Sequence, residues 1–377
     1  MVFYITVYLL SAFFSILACN SFKKNNKIYG IILSIIAILI PCIIAGLRCE
    51  TIGTDTSKYV AKTFIAAQNG YNYSSAMSNM NNVANVEYFY KLITFIISRV
   101  TNNVNWMYFI ISLITVTLIY LTCYDNRTDK GNYTLAYFSF LVLFFNRSLN
   151  LSRQSIAIAI LLYSSKFIFK KKFKLYLFFC ILAFLFHTTS ILFIVLYFIP
   201  NLIDGNYKKS NIFLLFSISF LILSQYQNIL LYLINDLNIL DKRYLFYVID
   251  SSNRGTNMLI IELIFITFLI IVSFIFNKRI KNKNVKVYCI FLALSFVIYL
   301  IGTYASYAFR LSYYLYTFVI IIIQHLKDSC EIKNNRFFIT ILIGIVLCSY
   351  SYLYYDVNQF DQTVPYKSIL SKEKILY

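Results

Sequence analysis

The stretch 28–46, IYGIILSIIAILIPCIIAG, contains no charged residue and is long enough to cross a bilayer as a helix, which takes about 20 apolar residues. It is not alone. Comparable apolar runs occupy approximately 2–20, 105–123, 132–147, 151–169, 211–230, 258–277, 285–305, 311–326 and 337–355. Across all 377 residues, 60% are hydrophobic and only 13% charged, with a mean hydropathy of +0.70. A soluble domain of this length would carry about 25% charged residues. The chain therefore reads as an all-α integral membrane protein, a polytopic helical bundle of about 10–13 spans. Residues 1–355 form a single membrane domain, and 356–377 follow as an exposed tail. Residues 2–19 lack a basic stretch before the apolar run and read as a retained first span, not a cleaved signal.

The net charge of +19 is topological. The lysines gather in short clusters between apolar runs, at Lys23, Lys24 and Lys27, at Lys170, Lys171, Lys172 and Lys174, at Lys208 and Lys209, from Lys278 to Lys286, and at Lys327 and Lys333. That is the pattern of cytoplasmic loops, not of a nucleic-acid-binding surface. Placing these clusters inside puts 47–104 outside as a long external loop. Parity then demands that 86–100, VEYFYKLITFIISRV, does not cross, so it is expected to form a re-entrant or interfacial amphipathic helix. The same parity sends 175–203 up and back as a broken helical hairpin with His187 at its turn. Eight cysteines include no Cys-x-x-Cys pair, and two histidines make no metal site; no cofactor is expected.

Four polar groups fall on the external side under this topology: Arg48, Asp55 and Tyr59 in the long loop; Arg147, Arg153 and Gln154; His187; and Arg310. Converging arginines suit an anion, because a guanidinium is always charged and grips phosphate oxygens as a fork. A histidine and a carboxylate nearby supply acid–base chemistry. Each residue also has a structural reading. An arginine at a span boundary can snorkel to headgroups, Asp55 can cap a helix, and His187 can be a hydrogen-bonded turn residue. Glu262, inside an apolar run, calls for a pairing partner. Arg147 and Arg243 carry nothing that separates them from surface charges, and Tyr307, Tyr313, Tyr314 and Tyr316 read as an aromatic belt.

In order along the chain, G-L-R-x4-G-T-D-T-x-x-Y (46–59), R-Q-S-I-A (153–157), F-H-T-T-S (186–190), Arg310 before paired tyrosines, and P-Y-K (365–367) resemble the EpsG-like branch of the Wzy-type bacterial polysaccharide polymerases. The resemblance extends from about residue 4 to 370. One departure is Tyr88 after Glu87, where that pattern has proline. The resemblance implies a GT-C-like helical fold in the bacterial plasma membrane, working at its outer face without a metal. It implies a glycosyltransferase that joins oligosaccharide repeats carried on undecaprenyl pyrophosphate. It also points to a flippase and a chain-length regulator as possible partners beside the lipid-linked substrate. Under it, Arg48, Arg153 and Arg310 bind pyrophosphate, His187, Asp55 or Glu87 serves as general base, and Gln154 and Tyr59 position groups. A membrane O-acyltransferase, a lipid-linked oligosaccharide flippase and a glycan ligase are the alternatives.

Overall fold

A computed structural model of the chain describes residues 1–84, 86–128, 130–203, 225–236, 256–276, 282–302, 308–328 and 333–370. The expected span 211–230 is described only from 225 onward, and Arg243 and Tyr307 lie outside the described residues. The described residues are helical with no strand. In order, they form α1 (Val2–Lys23), α2 (Lys27–Gly46), α3 (Lys62–Gln68), α4 (Tyr73–Val83), α5 (Tyr88–Val100), α6 (Asn105–Asp125), α7 (Thr134–Phe140), α8 (Asn146–Asn150), α9 (Ser152–Phe169) and α10 (Phe173–Phe184). Then come α11 (Ile199–Ile203), α12 (Tyr226–Asn235), α13 (Thr256–Phe276), α14 (Lys283–Gly302), α15 (Tyr313–Tyr316), α16 (Val319–Asp328) and α17 (Lys333–Ser351).

Among the described residues, six helical stretches are long and apolar enough to cross a membrane: Val2–Lys23, Lys27–Gly46, Asn105–Asp125, Lys283–Leu300, Phe309–Lys327 and Phe337–Val357. The chain is a multi-pass membrane protein, and its polarity is inside out. Leu9, Phe13 and Ile16 of α1, Ile260, Ile264 and Ile271 of α13, and Phe338, Leu342 and Ile345 of α17 are exposed, while Arg48, Glu87, Arg147, Gln154 and Glu262 are buried. Water would not tolerate so wide an apolar surface, whereas lipid requires it. Other apolar runs are interrupted. The run 132–147 becomes α7, a π turn at Leu141–Phe145, and α8; Leu151 (φ −86°, ψ 53°) then separates α8 from α9.

Breaks in the backbone ladder find partners inside the bundle. Pro41 in α2 has no N–H to give the carbonyl of Ala37. Ser11 Oγ donates to that oxygen at 2.7 Å and the Tyr137 hydroxyl at 3.0 Å, which ties α1, α2 and α7 together. Beside the π turn, the Tyr355 hydroxyl donates to the carbonyl of Leu143 at 2.6 Å.

The contacts between helix ends define two ends of the bundle. At one, Lys23 bonds Asn132, Lys166 pairs with Asp125 at 2.7 Å, Tyr288 donates to Asn126, and His325 Nε2 lies 3.1 Å from the Asn126 carbonyl. The ends of α1, α6, α9 and α16 and the start of α14 thus meet there, beside the lysine clusters. At the opposite end, Asn105 at the head of α6 donates to the carbonyls of Gly46 and Arg48. Helix α5 begins at this second end and leads straight back into α6, so it does not traverse the bundle. Arg99 near its C-terminus holds the carbonyls of Ala67 and Gly70 at 2.6 and 2.7 Å.

The 175–203 hairpin forms as the parity argument requires. Helix α10 rises from the lysine end and stops before His187, whose backbone is extended (φ −157°, ψ 115°). A 3-10 helix, Thr188–Tyr197, returns beside it. The Tyr176 hydroxyl donates to the Phe193 carbonyl at 2.7 Å, and the rings of Phe173 and Tyr197 meet at 4.9 Å.

Two expectations are corrected. The segment 356–377 is not an exposed tail as far as Leu370. Cys49 N–H donates to the Lys367 carbonyl, Ile369 N–H to that of Leu47, and Gly53 N–H to that of Gln362, at 2.9, 3.0 and 3.0 Å. Thr363 is fully buried. The loop after α2 leaves backbone groups without helical partners, and the C-terminal segment supplies them. Nor are Tyr313, Tyr314 and Tyr316 an aromatic belt: all three are buried, with Tyr313 against the Arg147 guanidinium, Tyr314 against Phe193 and Tyr316 against Phe144.

Candidate active site

Three residues from three separate regions meet at the end of the bundle remote from the lysines. Glu87, the residue before α5, is 7% exposed. Its Oε2 accepts from Arg153 Nη1 at 2.5 Å, and its Oε1 lies 3.3 Å from Nδ1 of His187. The backbone N–H of Thr188 reaches Oε1 at 3.5 Å. Each member is positioned by its local chain. Tyr88 takes the first helical position of α5, a site that favours proline but does not require it, so the departure from Glu-Pro leaves Glu87 in place. Arg153 sits in the first turn of α9, just past the break at Leu151. His187 is held by the extended backbone at the hairpin turn.

Burial alone would raise the Glu87 carboxyl, but the His187 ring and Arg153 outweigh it and hold the group well below the usual carboxylate range. Glu87 is thus an anion at neutral pH, suited to orienting a histidine and not to donating a proton. The Arg153 guanidinium lies 5.8 Å from the Tyr59 ring and 5.9 Å from the Tyr90 ring.

The remaining candidates border this core. Arg310 is half-buried and close enough to act electrostatically on His187. Gln154 fixes its backbone, with Nε2 donating to the Arg310 carbonyl at 2.8 Å. The Tyr314 hydroxyl lies 3.2 Å from Thr189 Oγ1. Asp55 precedes the π turn Thr56–Ala61 but makes no side-chain cap; its charge acts on Arg153, and its own N–H donates to Asn150 Oδ1 at 2.9 Å. Arg48 is withdrawn. It is 2% exposed, its guanidinium lies 4.6 Å from the Tyr108 ring, and it reaches Thr56 Oγ1 at 3.4 Å, so it organises the loop from behind.

A second charged group lies beside the first, and sequence reasoning missed most of it. Arg147 is no surface charge. Its Nη1 donates to Glu262 Oε1 at 2.8 Å, its Nε is 3.8 Å from Asp361 Oδ2, and its guanidinium lies 4.0 Å from the Tyr313 ring. Glu262, fully buried, finds the partner that its position demanded, and its Oε2 accepts from Tyr299 at 2.7 Å. Asp361 Oδ1 accepts from Asn150 at 2.7 Å. Burial pushes the Asp361 carboxyl up, with Arg147 and Asn150 pulling it back. Asn150 joins the two groups, because it also holds Thr54 and Asp55, and Arg310 acts electrostatically on Asp361 as well as on His187.

Among the described residues, no three His, Cys, Asp or Glu side chains gather as a metal site. The chemistry offered is that of fixed cations beside an oriented histidine. The family model described as "EpsG family" matches residues 31–368, nearly the whole chain. Searches of the curated proteins and of the solved structures each found no match.

Proposed function

The chain belongs to the EpsG family of Wzy-like polysaccharide polymerases, and from that premise we propose that it joins oligosaccharide repeat units carried on undecaprenyl pyrophosphate at the outer face of the bacterial plasma membrane. The observation that carries this reading is the Glu87–Arg153–His187 cluster, with Arg310 beside it, at the end opposite the lysines. Lysine-rich loops stay in the cytoplasm, which supports an outward-facing site. An acyltransferase or a flippase gains no support from a family of polymerases.

In this reaction an acceptor sugar hydroxyl attacks C1 of the donor's first sugar. The C1–O bond to pyrophosphate breaks, and its electron pair leaves with the lipid pyrophosphate. Arg153 and Arg310 meet the charge that develops there, in place of a metal ion. Neutral His187 takes the hydroxyl proton, and the Glu87 carboxylate, 3.3 Å from Nδ1, stabilises the imidazolium that forms. Asp55 and Tyr59 flank Arg153, Gln154 sets the Arg310 segment, and Arg48 stiffens the loop.

Cells lacking the gene should lose the long-chain polysaccharide ladder and accumulate single lipid-linked repeats. An unchanged ladder would refute the reading. His187→Ala should lower polymer formation by about 10²–10⁴-fold, the usual worth of a general base, with its membrane level unchanged; normal polymer from this variant would remove His187 from the mechanism. For orientation, Asn102→Cys in a chain stripped of its eight native cysteines should react with an impermeant maleimide added outside intact cells. Labelling only after permeabilisation would place the site in the cytoplasm.

A further inference from the structure

Apart from the charged cluster, the same end of the bundle carries an open cleft of about 550 Å³, between α3 and the turn joining α5 to α6. Its volume falls within the roughly 300–1,000 Å³ of small-ligand sites. The walls are amide and hydroxyl groups, from Gln68, Thr101, Asn102, Asn103 and Asn105, with one carboxylate, Glu50. Ala61, Phe64 and Ile65 supply apolar surface. Among the described residues, no lysine or arginine lines it. That composition repels pyrophosphate and acidic headgroups. It suits a chain rich in neutral hydroxyls, since each carboxamide both donates and accepts.

The cleft is linked to the candidate active site through one helix. Ala61, Phe64, Ile65 and Gln68 recur at the spacing of a single helical face. Tyr59, which lies against Arg153, falls on the other side of the same segment. A helix is about 10 Å thick, so about one helix width separates the cleft from the Tyr59 face that meets Arg153. Parts of the wall are already pinned: Gln68 Nε2 donates to Asn102 Oδ1 at 3.2 Å, and Asn105 is tied to the carbonyls of Gly46 and Arg48.

We infer that this cleft holds the growing polysaccharide, as a neutral oligosaccharide subsite behind the reacting sugar, and so sets how long the polymer becomes. The inference rests on the polymerase reading above and names the part of the substrate that this surface grips. Gln68 and Asn102 border solvent at the cleft and lie outside the apolar core.

The test combines Gln68→Ala with Asn102→Ala, and separately fills the cleft with Asn102→Trp. Two measurements are needed: the length distribution of surface polysaccharide, and binding of purified protein in nanodiscs to neutral fragments cut from that same polysaccharide. Losing one or two hydrogen bonds should weaken fragment binding by about tenfold and shift the ladder toward short chains. Asn102→Trp should do the same without removing the Gln68 amide. An unchanged ladder with unchanged fragment binding in both variants overturns the subsite. Failure of the polymerase reading looks different, because the ladder would then survive deletion of the whole gene.

Discussion

Arg153→Ala should lower polymer formation by about 10²–10³-fold, the cost of removing a preformed cation or donor from a developing oxyanion. The substitution also strips Glu87 of its nearest cation, and a buried charge left unpaired costs up to about 3–5 kcal/mol. Folding and catalysis must therefore be separated. Pairing Arg153→Gln with Glu87→Gln removes both charges, and should restore the protein to the membrane at normal levels without restoring polymer. Arg153→Lys keeps the charge and loses the fork, so its activity should fall between alanine and wild type. Polysaccharide gels and quantitative blots of the same membranes supply both readouts. A full ladder from Arg153→Ala would remove Arg153 from the proposed mechanism.

The largest effect on stability is expected at Arg147. With Glu262 fully buried and Arg147 4% exposed, Arg147→Ala leaves a carboxylate inside the bundle beside Tyr299 and Asp361. The expected loss is about 3–5 kcal/mol, seen as a large fall in thermal midpoint of the purified protein in detergent. Replacing the pair together, Arg147→Met with Glu262→Leu, should recover part of it, because Glu262 no longer needs a counter-charge, while Asp361 loses Arg147 and keeps only its bond from Asn150. If the double replacement is as unstable as the single one, the pair does more than neutralise charge. A wild-type midpoint for Arg147→Ala would mean that Glu262 is held by its tyrosines alone.

These two arginines show what the sequence makes legible. Bilayer thickness fixes the length of an apolar run, so the multi-pass class and the broken hairpin at His187 can be read from the sequence, whereas nothing in 132–147 announces its π turn. Arg147 and Arg153 sit in one stretch, N-R-S-L-N-L-S-R, and nothing local tells them apart. The break at Leu151 does, turning one toward Glu262 and the other toward Glu87. Those partners lie 115 and 66 residues away, and no local pattern encodes the pairing. Glu262 was the available signal, since a carboxylate in an apolar run must have a cation somewhere. Asp361 was hidden for another reason. Polar composition after the last span suggests exposure, whereas its backbone, with φ of 64°, turns the carboxylate back toward Asn150.

The fastening of 361–369 onto the 47–53 loop and Asn150 also imposes an order on biogenesis. Asn150 and Asp361 are separated by 211 residues, so the ribosome has long since delivered the first arginines to the membrane when the closing segment emerges. A nascent chain halted before that point has Arg147 without Asp361, and the loop bearing Arg48 and Asp55 without its backbone clasp. A chain cut before residue 361 would keep the arginines of the candidate site and lose the clasp on the loop that bears Arg48 and Asp55.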